Sequence, residues 1–192
     1  MRILFELQQP RCAARTRIAL AVMALVLVAL AASAPAQSVV TEQHVKAAYL
    51  YNFAQFATWP AAAFDGPAGP LRICTVGEDG KLGPLLAETL GNESVGGHPL
   101  TLLRNPPVGD LPRCHLLFIS AATRDPGTIL AQVSVAPVLT VGDGEGFTRR
   151  GGMLEFVRES GRIRFDVNLP AAAARGITLS ARLLQVARRV QQ

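Results

Sequence analysis

Lysine is nearly missing from this chain: of its 19 basic residues only Lys46 and Lys81 are lysines. The formal net charge of +5 and pI near 9.7 would suggest a nucleic-acid binder. However, the first 36 residues hold four Arg against one Glu, which leaves 15 basic and 13 acidic residues, or +2, in the remainder. The remaining arginines are thinly spread, so nucleic acid is excluded as an expected partner. Histidine is equally sparse. His44, His98 and His115 show neither H-x-x-x-H nor H-E-x-x-H spacing, and G-x-S-x-G does not occur, so neither metal nor serine hydrolysis has a sequence basis. Gly142-Asp143-Gly144-Glu145-Gly146 follows an apolar segment like part of a phosphate loop. It lacks the G-x-G-x-x-G order and a Walker lysine, and reads as a strand-to-strand loop. No cofactor and no metal are implied. There is no internal repeat, and the Pro/Gly stretch 66–70 is too short to divide domains.

What is present begins with an export signal. Arg2, Arg11, Arg15 and Arg17 precede an apolar run from Ile18 to Ala32, and Ser33-Ala34-Pro35-Ala36 supplies small residues with an A-x-A pattern. Cleavage after Ala36 is expected, giving a signal peptide over 1–36 and one domain over 37–192 in the periplasm. The alternative is an uncleaved inner-membrane anchor, but the fifteen-residue run falls short of the ~20 residues a spanning helix needs. Either way the domain lies outside the cytoplasm. The mean hydropathy of +0.28 is inflated by this leader.

Cys12 lies in the leader, leaving Cys74 and Cys114. An even pair in an exported chain reads as a disulfide, stabilising by about 4 kcal/mol in the chain-entropy model. Free buried thiols are the alternative. A shared metal is disfavoured because Cys114 and His115, adjacent on an extended segment, point to opposite faces.

The pattern along 37–192 alternates between helix and strand. Thr41 caps a helix with Val45, Tyr49, Phe53 and Phe56 on one face, ended by Trp59-Pro60. Strands are expected at Leu71–Val76, Pro99–Arg104, His115–Ser120 and Pro137–Val141, with helices at Leu82–Leu90 and from Asp125 to Val133. Met153–Glu159 and Arg162–Leu169 flank Ser160-Gly161 as a two-residue hairpin that pairs Phe156 with Phe165, Leu154 with Val167 and Arg158 with Ile163. Ser180 caps a last helix with Leu183, Leu184, Ala187 and Val190 on one side and Arg182, Arg188 and Arg189 on the other. The expected architecture is α/β: a single three-layer domain, a mixed sheet with helices on both faces and the C-terminal hairpin at its edge.

The hairpin register also sets Glu155 opposite Asp166. Two such carboxylates could do acid–base work on a glycan. The plainer reading is a solvated polar face on which Arg164, diagonal to Glu155, offsets the repulsion. A third possibility is a small-solute or cell-wall-fragment sensor using loops at the sheet's end.

The segment Lys46-Ala47-Ala48-Tyr49-Leu50-Tyr51-Asn52-Phe53-Ala54-Gln55-Phe56 with Thr58-Trp59-Pro60 resembles the opening motif of the YfiR-like periplasmic proteins. Gly142-Asp143, Gly151-Gly152-Met153 with Phe156, and Arg162 to Leu169 (including Phe165, Asp166 and Asn168) resemble the closing block, which Ser180 to Leu184 extends. The resemblance covers essentially the whole chain after the leader. It implies a non-enzymatic periplasmic regulator that represses an inner-membrane diguanylate cyclase through the cyclase's periplasmic region, lowering cyclic di-GMP and with it biofilm formation. Self-association into a homodimer is left open. Cys74 and Cys114 match a disulfide position of that family. Residues 144–153 hold no Cys, so the second bridge of some members is absent and switching through it is not expected. Two surfaces are available for a partner: the exposed face of the Thr41–Trp59 helix and the Arg-rich side of the hairpin.

Overall fold

The computed structural model describes residues 41–77 and 80–192; the expected signal peptide lies outside these. Helix α1 (Glu42–Phe56) starts at Thr41, whose backbone N–H donates to His44 Nδ1 at 3.4 Å. Its inward face holds Ala47, Leu50, Phe53 and Ala54, all at most 1% exposed. The helix ends before Trp59 because Ala57–Thr58 (β1) pairs antiparallel with Thr178–Leu179 (β9), a two-stranded sheet that the helical spacing does not reveal.

The main sheet contains β2 (Leu71–Val76), β3 (Ser94–Val95), β4 (His98–Arg104), β5 (Leu116–Ile119), β6 (Leu139–Gly142), β7 (Leu154–Glu159), β8 (Arg162–Asn168) and β10 (Arg189–Gln191), in the order β10-β8-β7-β6-β5-β2-β4-β3. Strands β4, β2, β5, β6 and β7 run parallel; β7–β8 and β3–β4 are antiparallel, so the sheet is mixed. Four fully buried residues, Leu116 to Ile119, make β5 apolar on both sides, as a central parallel strand must be. Helices α1, α2 (Leu82–Leu90), α4 (Leu169–Ala173) and α5 (Ala181–Val186) contribute to the larger core on one face. Helix α3 (Pro126–Gln132) and the 3₁₀ turn Val108–Arg113 cover the other, around Cys74, Leu117, Ile119 and Phe147. The three-layer architecture is therefore present.

The hairpin has the expected register, with Phe156 opposite Phe165, Leu154 opposite Val167 and Arg158 opposite Ile163. Its turn residues Ser160 and Gly161 have φ of 48° and 74°, the double positive φ that matches the twist of the flanking strands. Beyond it the chain departs from expectation. The helix capped by Ser180, whose Oγ accepts from Leu183 N–H, ends at Val186 and does not continue to Val190. Ala187 is extended, and Arg189–Gln191 pairs parallel with Asp166–Asn168 as β10 outside the hairpin. The outer edge of β8 would otherwise leave backbone groups unpaired. Arg188 N–H donates to Phe165 O at 2.8 Å, and these bonds replace the last helical turn.

Candidate functional site

The two halves of the family motif meet across the larger core. Tyr49 and Phe53 on α1 stack at 5.7 Å between centroids, and Phe53 lies edge-on to Phe165 at 4.9 Å and stacked on Phe156 at 5.7 Å. Tyr49 adds contacts to both hairpin rings. Each pair adds ~0.5–1.5 kcal/mol beyond burial. Trp59 Nε1 donates to His115 O at 2.9 Å, fixing the chain after α1 to the start of β5. Tyr51 Oη donates to Glu93 at 3.3 Å; Asn52 and Phe56 are half-buried and Pro60 is exposed.

Gly142 and Gly152 face the Phe147 ring from two sides. A Cβ would lie 2.5 Å from that ring at Gly142 and 2.2 Å at Gly152, so both positions need hydrogen side chains. Gly151, with φ of 93°, makes the left-handed turn between them. The loop they bound wraps the Glu155 carboxylate, which accepts from Gly146 N–H (2.7 Å), Thr148 N–H (2.9 Å) and Thr148 Oγ1 (2.8 Å). Asn168 Nδ2 donates to Thr148 O, and its Oδ1 caps α4 at Ala171 N–H.

Glu155 does lie opposite Asp166, but neither is solvated: they are 6% and 5% exposed. Asp166 is forked by Arg188, with Nε at 2.7 Å from Oδ1, and that pairing lifts the Arg188 pKa above its ordinary value. Arg164 does not supply the compensation; its Nη2 is directed to Val186 O. The solvated-face expectation is thus corrected. The loop amides and Arg188 reach this face only through tertiary packing, which the hairpin alone does not disclose. The acid–base idea loses its geometry, because both carboxylates are bound by structural donors.

Signals missed in the sequence include Lys46, 5% exposed, whose Nζ lies 2.8 Å from Glu42 Oε1 and 2.6 Å from Asp143 Oδ2. Burial pulls its pKa down, but hydrogen bonds to Asp143 and Glu42 outweigh this and leave it raised. Asp143 Oδ1 also accepts from Ala121 N–H, and Arg158 joins Glu42. This network spans α1, the end of β6 and the hairpin.

Chain order and sheet order reverse between β2 and β5, where doubly wound sheets open to ligands. Here the chain ties that crevice together. Thr123 Oγ1 donates to Val76 O and a Cβ on Gly77 would lie 2.2 Å from Thr123 Oγ1, while on the β4 side Gly77 N–H donates to Asn105 Oδ1. Cys74 and Cys114 are disulfide-bonded with Cα atoms 6.0 Å apart.

At the opposite end of β5, His115 is 1% exposed; its Nδ1 accepts from Arg72 N–H at 3.0 Å and its ring stacks on Phe64 at 4.4 Å. Burial, with a smaller push from Arg72, lowers its pKa to about 4. The unfolded chain therefore binds a proton that the folded one refuses between pH about 6.5 and about 4, and stability rises with pH across that window. His115→Asn, which keeps an acceptor for Arg72 N–H, is expected to flatten the pH dependence of urea unfolding there by up to about 3 kcal/mol. An unchanged slope would assign the dependence to other groups.

The fold defines a doubly wound α/β domain in which the motif residues Phe53, Trp59, Phe165 and Asp166 are turned inward to join its parts. The family model described as YfiR/HmsC-like matches residues 43–188, and the chain belongs to that family. It is a regulatory family, associated with periplasmic control of diguanylate cyclase signalling and with membrane-associated partner proteins. No curated protein sequence matches the chain significantly. Among solved structures, a conserved domain protein from Vibrio cholerae O1 biovar El Tor is similar at 14% identity and a TM-score of 0.44, covering 63% of this chain and 55% of that one. The chain thus spans about half the length of that protein. No helix among the described residues is long and apolar enough to cross a membrane, and no group of three or more His, Cys, Asp or Glu among them is placed to hold a metal ion.

Proposed function

We propose that this protein is exported by residues 1–36, acts in the periplasm as residues 37–192, and represses an inner-membrane diguanylate cyclase by binding the cyclase's periplasmic region. Membership of the YfiR/HmsC-like family over 43–188 carries this reading. The inward orientation of Phe53, Trp59, Phe165 and Asp166 supports a division of labour in which the motif builds the fold and a separate exposed surface meets the partner. A repressor of this kind needs differential affinity for the two states of its target, and no chemistry of its own.

Deleting the gene is expected to raise cellular cyclic di-GMP, and the purified protein is expected to bind the periplasmic region of the inner-membrane cyclase whose removal abolishes that rise. Unchanged cyclic di-GMP in the deletion strain, together with no binding to that region in calorimetry, would overturn the proposal.

A further inference from the structure

We infer that the edge of the domain formed by β8, β10 and α5 docks on an anionic lipid bilayer. Lipid binding needs no partner protein, so this stands or falls apart from the cyclase reading.

Arginines spaced out along the sequence are gathered by the fold. Residues 147–192 carry nine Arg against Glu155, Glu159 and Asp166, whereas residues 41–146 carry six basic against ten acidic residues. Two of those three carboxylates are withdrawn from the surface: Glu155 is bound by loop amides and Asp166 by Arg188. The third, Glu159, lies 4.0 Å from Arg188. Arg149, Arg162, Arg182 and Arg189 are exposed and make no ion pair within 4 Å among the described residues.

The register collects these charges at one end of the sheet. Residues 162, 164 and 166 alternate to one face, and Arg189 joins it because it is in register with Asp166. No helix roofs that face here: the apolar cluster under α3 and the 3₁₀ turn Val108–Arg113 takes no described residue from β7, β8 or β10. Arg149 adds to it from the 3₁₀ turn Thr148–Arg150, beside Gly146, and Arg182 flanks the edge from α5. The sheet has β10 at one end and β3 at the other of eight strands, which at ~4.8 Å per strand sets the edges roughly 30 Å apart. Exposed Glu93, next to β3, and Glu88 on α2 lie toward the far edge. That distance exceeds the ~8 Å screening length, so the acidic end orients the domain without cancelling the attraction.

A bilayer fits this edge better than a protein does. Phe147, Phe156 and Phe165, the aromatics of 147–192, are all buried, so no aromatic anchor is offered to a protein partner. Val186, 55% exposed, sits between Arg182 and Arg189 in sequence. Dispersed cations around a shallow apolar contact suit a planar anionic surface.

Flotation of the exported protein with phosphatidylcholine vesicles, with and without phosphatidylglycerol, tests the inference. Binding is expected to be at least about tenfold tighter on the anionic vesicles and to weaken about tenfold between about 0.05 and 0.5 M NaCl. Arg182→Gln with Arg189→Gln is expected to lower it about tenfold, while Arg182→Lys with Arg189→Lys retains it, because a bilayer reads charge and not guanidinium geometry. Arg113→Gln with Arg124→Gln removes the same charge from exposed positions elsewhere and is expected to change binding less than about twofold. Equal binding to both kinds of vesicle, no binding to either, or an equal loss in the Arg113/Arg124 variant overturns the inference. A loss in the lysine variant as large as in the glutamine one assigns the edge to a protein partner and overturns it too.

Discussion

Cys74→Ser is expected to lower stability by about 4 kcal/mol in oxidising buffer and by far less when both proteins are reduced. The bond joins residues 40 apart in sequence, and cross-linking a loop of that length removes entropy from the unfolded chain equivalent to about 4 kcal/mol. A smaller cost persists in reductant, because Cys74 is fully buried among Leu111, Leu117 and Ile119 and a serine hydroxyl there has no obvious partner. Urea unfolding of both proteins, with and without reductant, separates the two contributions. Equal stability in oxidising buffer would mean that the bond does not constrain the unfolded chain. The native consequence is local: Cys114 ends the 3₁₀ turn Val108–Arg113, a turn with Pro112 inside it and few backbone bonds of its own.

How far such features can be read beforehand depends on whether their cause is local. The hairpin was legible because sequence alone supplies both constraints that fix a register: a two-residue turn and an apolar face that a one-residue slip would expose. The α1 stripe was legible only in part: Phe53 is fully buried, but Val45, Tyr49 and Phe56 are half-buried, and the innermost face is Ala47, Leu50, Phe53 and Ala54, whose alanines give a hydrophobic periodicity little weight. The final segment was not. Leu183, Leu184, Ala187 and Val190 fit a helical face, and nothing nearby in sequence announces that Phe165 O and Asp166 wait to take Arg188. Glu155 was misjudged by the same logic, since its donors are amides of a loop whose path is set by Phe147 inserting between two glycines. The disulfide followed from export and an even cysteine count.

Lys46→Met tests the least foreseeable of these contacts. A lysine four residues after Glu42 on a helix ordinarily forms an exposed pair of a few tenths of a kcal/mol. Lys46 differs in that its side chain is 6% exposed and its shorter contact is to Asp143, 97 residues away. Removing one member of a buried pair leaves the other charge without compensation, which costs about 3–5 kcal/mol. Part of this is relieved because the Asp143 side chain keeps 16% exposure and Glu42 keeps Arg158, so the lower end, about 3 kcal/mol, is expected. Lys46→Met with Asp143→Asn should recover some of the loss, since the stranded charge is then gone and Asn can still accept from Ala121 N–H. The pH dependence has a definite sign. The Lys46 pKa is raised, so its contribution is complete below about 10.4 and fades only above that. The Glu42 pKa is lowered, chiefly by its hydrogen bond to Lys46, so its contribution holds above about 4.3 and is lost on acidification. Between those limits the single substitution should cost the same at every pH. A loss under 1 kcal/mol at pH 7, or no recovery in the double variant, would show that Lys46 behaves as an ordinary surface residue and that helix α1 is held to the sheet by its aromatic face alone.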